Sequence, residues 1–169
     1  MEYSPFQGAL IPLKAFNAQH EKWLVLPINR GLQPAFNFDT GIIKVALGNE
    51  SAVGIKFCNG NDDAGLYAPV ICAVSQTGSV LSSFNPLGSI PNKVAETLQK
   101  NWVNQKGKEV LRSFYLGRAP LTKFLKTVQA SQIIASFMLN EAGQSTGALI
   151  AEEAEDVLNL SLPCPPFCG

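Results

Sequence analysis

The chain has 169 residues, 46% of them apolar and only 15% charged, with 13 basic residues balancing 13 acidic ones. That length can bury a sizeable core in one domain, and the 46% apolar share excludes a disordered chain. No run approaches the roughly 18 apolar residues of a membrane span, and Met-Glu-Tyr-Ser-Pro-Phe lacks the basic, then apolar, build of a secretory leader. No membrane partner and a cytoplasmic location are therefore expected.

The first half alternates apolar runs with turn residues. Trp23–Ile28 reads as a buried strand and Ala35–Phe38 as a weaker one, ending at the turn Asp39-Thr-Gly41. Ile42–Leu47 and Ala52–Phe57 flank Gly48-Asn-Glu-Ser51 as a hairpin. The segment Asn59-Gly-Asn-Asp-Asp63 is a loop of turn formers. It shares oxygen ligands with calcium loops but lacks their spacing and terminal Glu. Leu66–Val74 is the next strand, and Gln76-Thr-Gly78 turns the chain into Ser79–Phe84. Pro27 and Pro69 require edge or bulge positions.

Beyond residue 90 the spacing turns helical. Ser89 is placed to cap a helix with Pro91 in its first turn and Val94, Leu98 and Trp102 on one face. Val110, Leu111, Phe114 and Tyr115 form a second short stripe. Pro120 opens the strongest helix, carrying Leu121, Phe124, Leu125, Val128, Ile133, Ile134, Phe137 and Met138 to about Gly143. Ser145 would cap a last helix bearing Leu149, Ile150, Ala154, Val157 and Leu158. The expected fold is α+β: an antiparallel sheet or meander over about residues 20–85, then three to four helices packed on it. Residues 1–159 form one domain, and 160–169 a Pro/Cys-rich tail.

Zero net charge conceals a split. From Lys93 to Lys126 eight basic residues face two acids, Glu96 and Glu109; from Thr127 onward there are five acids and no Lys or Arg. Lys100, Lys106, Lys108, Arg112, Arg118, Lys123 and Lys126, interleaved with Trp102, Phe114, Tyr115 and Phe124, suit single-stranded nucleic acid or RNA. Cations neutralise phosphates and aromatics stack on unpaired bases. The competing reading makes those aromatics core and the lysines a solvated face, or pairs the basic helices with the acidic one. The acidic run Glu152–Asp156 reads as a helix start, where carboxylates complement the macrodipole.

The four cysteines, Cys58, Cys72, Cys164 and Cys168, lack Cys-x-x-Cys spacing, so no metal or cofactor is implied. Cys58 and Cys72 are expected as core residues on adjacent strands. His20 is the sole histidine, in a polar stretch that reads as exposed loop, so a thiol enzyme would have to bring a cysteine to it. In the tail, Pro163, Pro165, Pro166 and Phe167 favour an extended arm that docks on a neighbouring subunit. The expectation is thus a non-enzymatic, self-assembling structural or scaffold protein, a homo-oligomer with a charge-poor surface. The alternatives are a nucleic-acid-binding protein using residues 93–126, and a thiol enzyme or peptide precursor with a Cys-bearing C-terminus.

Overall fold

A computed structural model describes residues 2–33, 35–107, 110–152, 155–159 and 162–164, the last three by backbone only. Along the chain run β1 (Ala9–Pro12), α1 (Leu13–Leu24), β2 (Ala35–Asp39), α2 (Thr40–Leu47), β3 (Gly54–Cys58), β4 (Val70–Val74), β5 (Val80–Asn85), β6 (Gly88–Ile90), α3 (Asn92–Lys106), β7 (Ser113–Gly117), α4 (Arg118–Thr127), β8 (Gln132–Leu139), β9 (Ser145–Ala151), β10 (Asp156–Asn159) and β11 (Leu162–Cys164). They build two antiparallel sheets, one of five strands in the order β1-β10-β9-β8-β2 and one of six in the order β11-β7-β3-β4-β5-β6.

The expected order, a sheet first and helices afterwards, is overturned: helices are interleaved with strands from α1 to α4, and the described chain ends in four strands. Five segments account for the difference. Ile42–Leu47 is helix rather than strand, because Asp39 accepts a hydrogen bond from the Gly41 N–H (2.6 Å) and caps it, and Ile43, Ala46 and Leu47 at i, i+3 and i+4 point into the core. The stripe at Val110–Tyr115 leads into β7, whose five residues are all buried, so no polar alternation marks it as a strand.

The long helix expected from Pro120 ends at Thr127. Ile133, Ala135, Phe137 and Leu139 then alternate inward along β8. Asn140–Gln144 turns the chain, with Gly143 at φ 75°, into β9 in place of the helix expected from Ser145. The acidic run therefore begins in the turn between β9 and β10, and its helix reading falls with it. The expected strand at Trp23–Ile28 is also corrected, being the end of α1 followed by a 3₁₀ turn at Pro27–Asn29. The strands read at Ala35–Phe38, Ala52–Phe57, Leu66–Val74 and Ser79–Phe84 fall on β2 to β5. The helix at Val94–Trp102 falls within α3, although Ser89 lies in β6 and Pro91 occupies the position before the first helical residue.

The sheets face each other across one aromatic core. Phe38 and Phe137 of the five-stranded sheet meet Phe57 and Phe114 of the six-stranded one. Phe57 and Phe114 stack with centroids 5.0 Å apart, and Phe114 meets Phe137 edge-on at 6.2 Å. Gly147 on β9 makes this approach feasible, since a Cβ there would lie 2.0 Å from the Phe114 ring. Helices α2 and α4 each continue directly from a strand and send Ile43, Leu47, Leu121 and Phe124 into the same core. Phe16 of α1 packs on the outer face of the five-stranded sheet against Met138, Ala148 and Val157. Ala95 and Leu98 of α3 pack on the outer face of the other sheet, with Cys58, Val70, Cys72 and Tyr115.

Candidate functional site

The fold divides the basic segment between two places. Lys100 and Lys106 are exposed on α3, outside the six-stranded sheet, whereas Arg118, Lys123 and Lys126 belong to α4. Arg112 precedes β7, partly buried, and its Nε has no hydrogen-bond partner among the described residues. Lys108 lies outside the described residues. The aromatics interleaved with these cations, Trp102, Phe114, Tyr115 and Phe124, are all core residues, so none of them is a stacking platform.

The α4 cations line a groove of about 520 Å³ with Pro5, Phe6, Ala119 and Thr122. Its far wall is the N-terminal segment, strapped across the start of α4. The Ala119 N–H donates to the Pro5 carbonyl (2.8 Å) and the Gly117 N–H to that of Gln7 (2.6 Å). Gly117 allows the crossing, because a Cβ there would sit 2.5 Å from the Pro5 oxygen. These bonds, with Arg118 N–H to Val53 O (2.8 Å), occupy the first donors of α4. An anion in the groove would therefore meet side-chain charge, not helix N–H groups.

Phe6 is 75% exposed at the rim of this groove. Its only sequence signal is an aromatic residue directly after a proline in a polar stretch, and the sequence reading passed over it. Arg118 serves a different purpose. Its Nε donates to Ala52 O (2.7 Å), and one terminal nitrogen donates to Leu47 O (2.7 Å) and to Asn49 O. The guanidinium thus caps the C-terminal end of α2, where carbonyls lack helical partners and the dipole favours a cation. It fixes α4 to α2 and leaves a positive charge at the groove wall.

On the opposite flank of α4, a smaller groove of about 190 Å³ is lined by Leu10, Phe124, Thr127, Val128, Glu155 and Asp156. Acidic residues thus adjoin a basic helix within one chain, although from a turn and a strand rather than from a helix.

Pro163, expected in a docking arm, lies in β11 opposite Phe114 of β7, so this part of the tail joins its own chain's sheet. Pro165, Pro166 and Phe167 lie outside the described residues. His20 is not in a loop but on α1, stacked on Phe16 with centroids 5.3 Å apart and with Nδ1 2.5 Å from the Phe137 carbonyl oxygen. That carbonyl lies just past Ser136, the last β8 residue that β2 pairs. Cys58 and Cys72 do occupy adjacent strands, both buried, on the far side of the six-stranded sheet from the inter-sheet core. That core separates them from His20. Among the described residues no group of three or more His, Cys, Asp or Glu is placed to hold a metal ion, and no helix is long and apolar enough to cross a membrane. The chain matches no protein-family model, and no curated protein and no solved structure matches it either.

Proposed function

We propose that this is a non-enzymatic binding protein that holds single-stranded nucleic acid in the groove between the N-terminal strap and α4. The observation that carries this reading is Phe6, 75% exposed beside Lys123, Lys126 and Arg118. A solvent-facing aromatic ring costs hydrophobic free energy unless something covers it, and an unpaired base stacks on such a ring while lysines take its phosphates. The interface is thus smaller than the whole basic segment, and Lys100 and Lys106 on α3 are peripheral to it.

The test is fluorescence anisotropy with labelled oligo-dT and oligo-rU across a salt series. Changing Lys123 and Lys126 together to Ala removes two phosphate contacts and should flatten the log–log salt dependence by about 1.4. Phe6→Ala should weaken binding by roughly 1–3 kcal/mol at every salt concentration. Arg118 is left intact because its loss would also loosen α2. Binding that ignores all three changes would refute the groove.

Self-association is a second reading, supported by Leu24, Val25 and Ile28, exposed by 47%, 79% and 49% within five residues at the end of α1. Contiguous exposed apolar side chains of this kind mark contact surfaces. A discrete oligomer in light scattering that Val25→Asp disperses, and that carries no nucleic-acid absorbance, would favour it over the groove.

A further inference from the structure

Cys58 and Cys72 are diagonal neighbours on one face of the six-stranded sheet. Cys58 stands opposite Val70 on β4 and Ser113 on β7; Cys72 stands opposite Lys56 on β3 and Ser83 on β5. Cys72 Sγ lies 3.6 Å from Ser83 Oγ and 4.0 Å from Gln99 Nε2 of α3. Both residues are sealed, 0% and 1% exposed, with Ala95 and Leu98 of α3 in the same cluster.

The roof they share is held by Ala95, Leu98 and Trp102 and, beyond them, by polar contacts. Of the 15 residues of α3 only Ala95 and Trp102 are buried. Its C-terminal half is tied to the β3–β4 loop by Asn61 Nδ2 to Gln105 Oε1 (2.6 Å), Asn101 Nδ2 to Asp63 Oδ1 (2.9 Å) and Asn61 N–H to Leu98 O (3.0 Å). Such bonds exchange for bonds to water at little cost, so a helix held this way opens locally before the sheet beneath it does.

We infer that Cys58 and Cys72 are a redox modification site, a dithiol under α3 that hydrogen peroxide converts to a reversible intrachain disulfide. The reaction has two steps. The Cys72 thiolate attacks one peroxide oxygen, the O–O bond breaks, and the departing hydroxide takes up the thiol proton as water, leaving a sulfenic acid. Cys58 then attacks the Cys72 sulfur; the S–S bond forms, the S–O bond breaks, and hydroxide leaves with the Cys58 proton as a second water. The peroxide gains two electrons and the thiol pair loses two.

The roles follow from the surroundings. Cys72 has Ser83 Oγ and Gln99 Nε2 beside its sulfur and Lys56 directly opposite on β3, groups that stabilise a thiolate there, and its thiol is drawn below its ordinary value while Cys58 is held above its own. This placement makes Cys72 the attacking sulfur and Cys58 the resolving one. Diagonal neighbours in antiparallel sheets have Cα atoms about 7–8 Å apart, slightly beyond the roughly 6.8 Å that an unstrained disulfide spans. Closing the bond must draw β3 and β4 together. The register shift between Ala73 and Val74, where β4 meets β5, gives the strand freedom to bend one residue from Cys72. A bond made under that tension is readily reduced, which makes it a labile link rather than a structural one.

The test uses the full chain with Cys164→Ser and Cys168→Ser, so that Cys58 and Cys72 are the only thiols. The protein is exposed to hydrogen peroxide, quenched with N-ethylmaleimide and mapped by mass spectrometry without reduction. The expected product has lost two hydrogens, resists alkylation at both positions, yields a linked Cys58–Cys72 peptide and reverts in dithiothreitol. Asn61→Ala, which cuts a tether of α3, should raise its rate of formation severalfold. With Cys58→Ser, dimedone should trap a sulfenic acid at Cys72. Further oxidation of Cys72 with Cys58 still alkylatable overturns the proposal. So do two thiols that stay reduced under peroxide while the urea-unfolded chain oxidises. A rate unchanged by Asn61→Ala would overturn the role of α3 as the roof. Parallel mapping of the wild-type chain follows the same two peptides if the serine variants fold poorly.

Discussion

The two outer helices each bury a tryptophan but differ in what else attaches them to their sheets. Phe16 and Trp23 of α1 are 3% and 1% exposed; the first is sunk in the face of the five-stranded sheet, and the second reaches the inter-sheet core against Phe137. The cluster beneath α1 at Phe16 is apolar. Helix α3 contributes Ala95, Trp102 and a set of side-chain amides, over a face carrying Lys56, two thiols, two serines and Tyr115. Apolar anchoring resists opening because every exposed side chain restores surface to water, whereas amide contacts are replaced by water at small net cost. Two helices of similar length can therefore differ in how often they open, and the chemistry sits beneath the one that opens more readily.

That contrast can be broken most directly at its strong end. Trp23→Ala deletes the largest side chain of α1 and should cost about 3–5 kcal/mol, read as a lower urea midpoint with an unchanged slope. A cost below 1 kcal/mol would mean that α1 is not anchored as described. At the weak end, Asn61→Ala should cost only about 1 kcal/mol globally. Amide exchange in α3 should accelerate while that in α1 stays unchanged. Equal acceleration in both helices would erase the distinction.

At neutral pH the Tyr67 ionisation effect is nil, and it emerges only in alkaline solution. Tyr67 donates to Asn59 Oδ1 at 2.6 Å and meets Trp102 edge-on, and burial first, then the nearby Cys58, raises its ionisation well above the ordinary tyrosine value. The folded chain keeps the Tyr67 proton at pH values where the unfolded chain, with a pKa of about 10, has lost it. This contribution is complete below about pH 10 and declines as pH rises, by up to about 1.4 kcal/mol per unit. Tyr67→Phe should flatten the fall in stability above pH 10. Equal slopes in variant and wild type would show that Tyr67 ionises freely in the folded protein.

Legibility varied along the chain for identifiable reasons. Strands β3 to β5 were readable because turn formers such as Asn59-Gly60 and Gln76-Thr-Gly78 bound them tightly. The helix at Asn92–Lys106 was readable because an exposed helix displays its 3.6-residue period against polar neighbours. At Ile133–Met138 and Leu149–Ala151, by contrast, nearly all side chains are apolar on both faces because the sheet is covered by α1 outside and by its partner sheet inside. A run buried on both faces has neither period, and helix and strand then look alike. The candidate site was partly visible: Lys123 and Lys126 stood out as charge, but Phe6 is distant in sequence and meets them only through backbone bonds that no pattern announces.

By itself the sequence determined the amphipathic helix at Asn92–Lys106, the turn-bounded strands and the burial of Cys58 and Cys72, because each depends on near neighbours in the chain. Tertiary structure alone decided that Gln132–Leu139, Ser145–Ala151 and Asp156–Asn159 run as strands, and that the basic segment splits between two surfaces. It also decided that Arg118 caps α2 and that the two thiols share one face. These outcomes rest on contacts between residues far apart in the chain, where burial free energy outweighs the fractions of a kcal/mol by which local propensities differ.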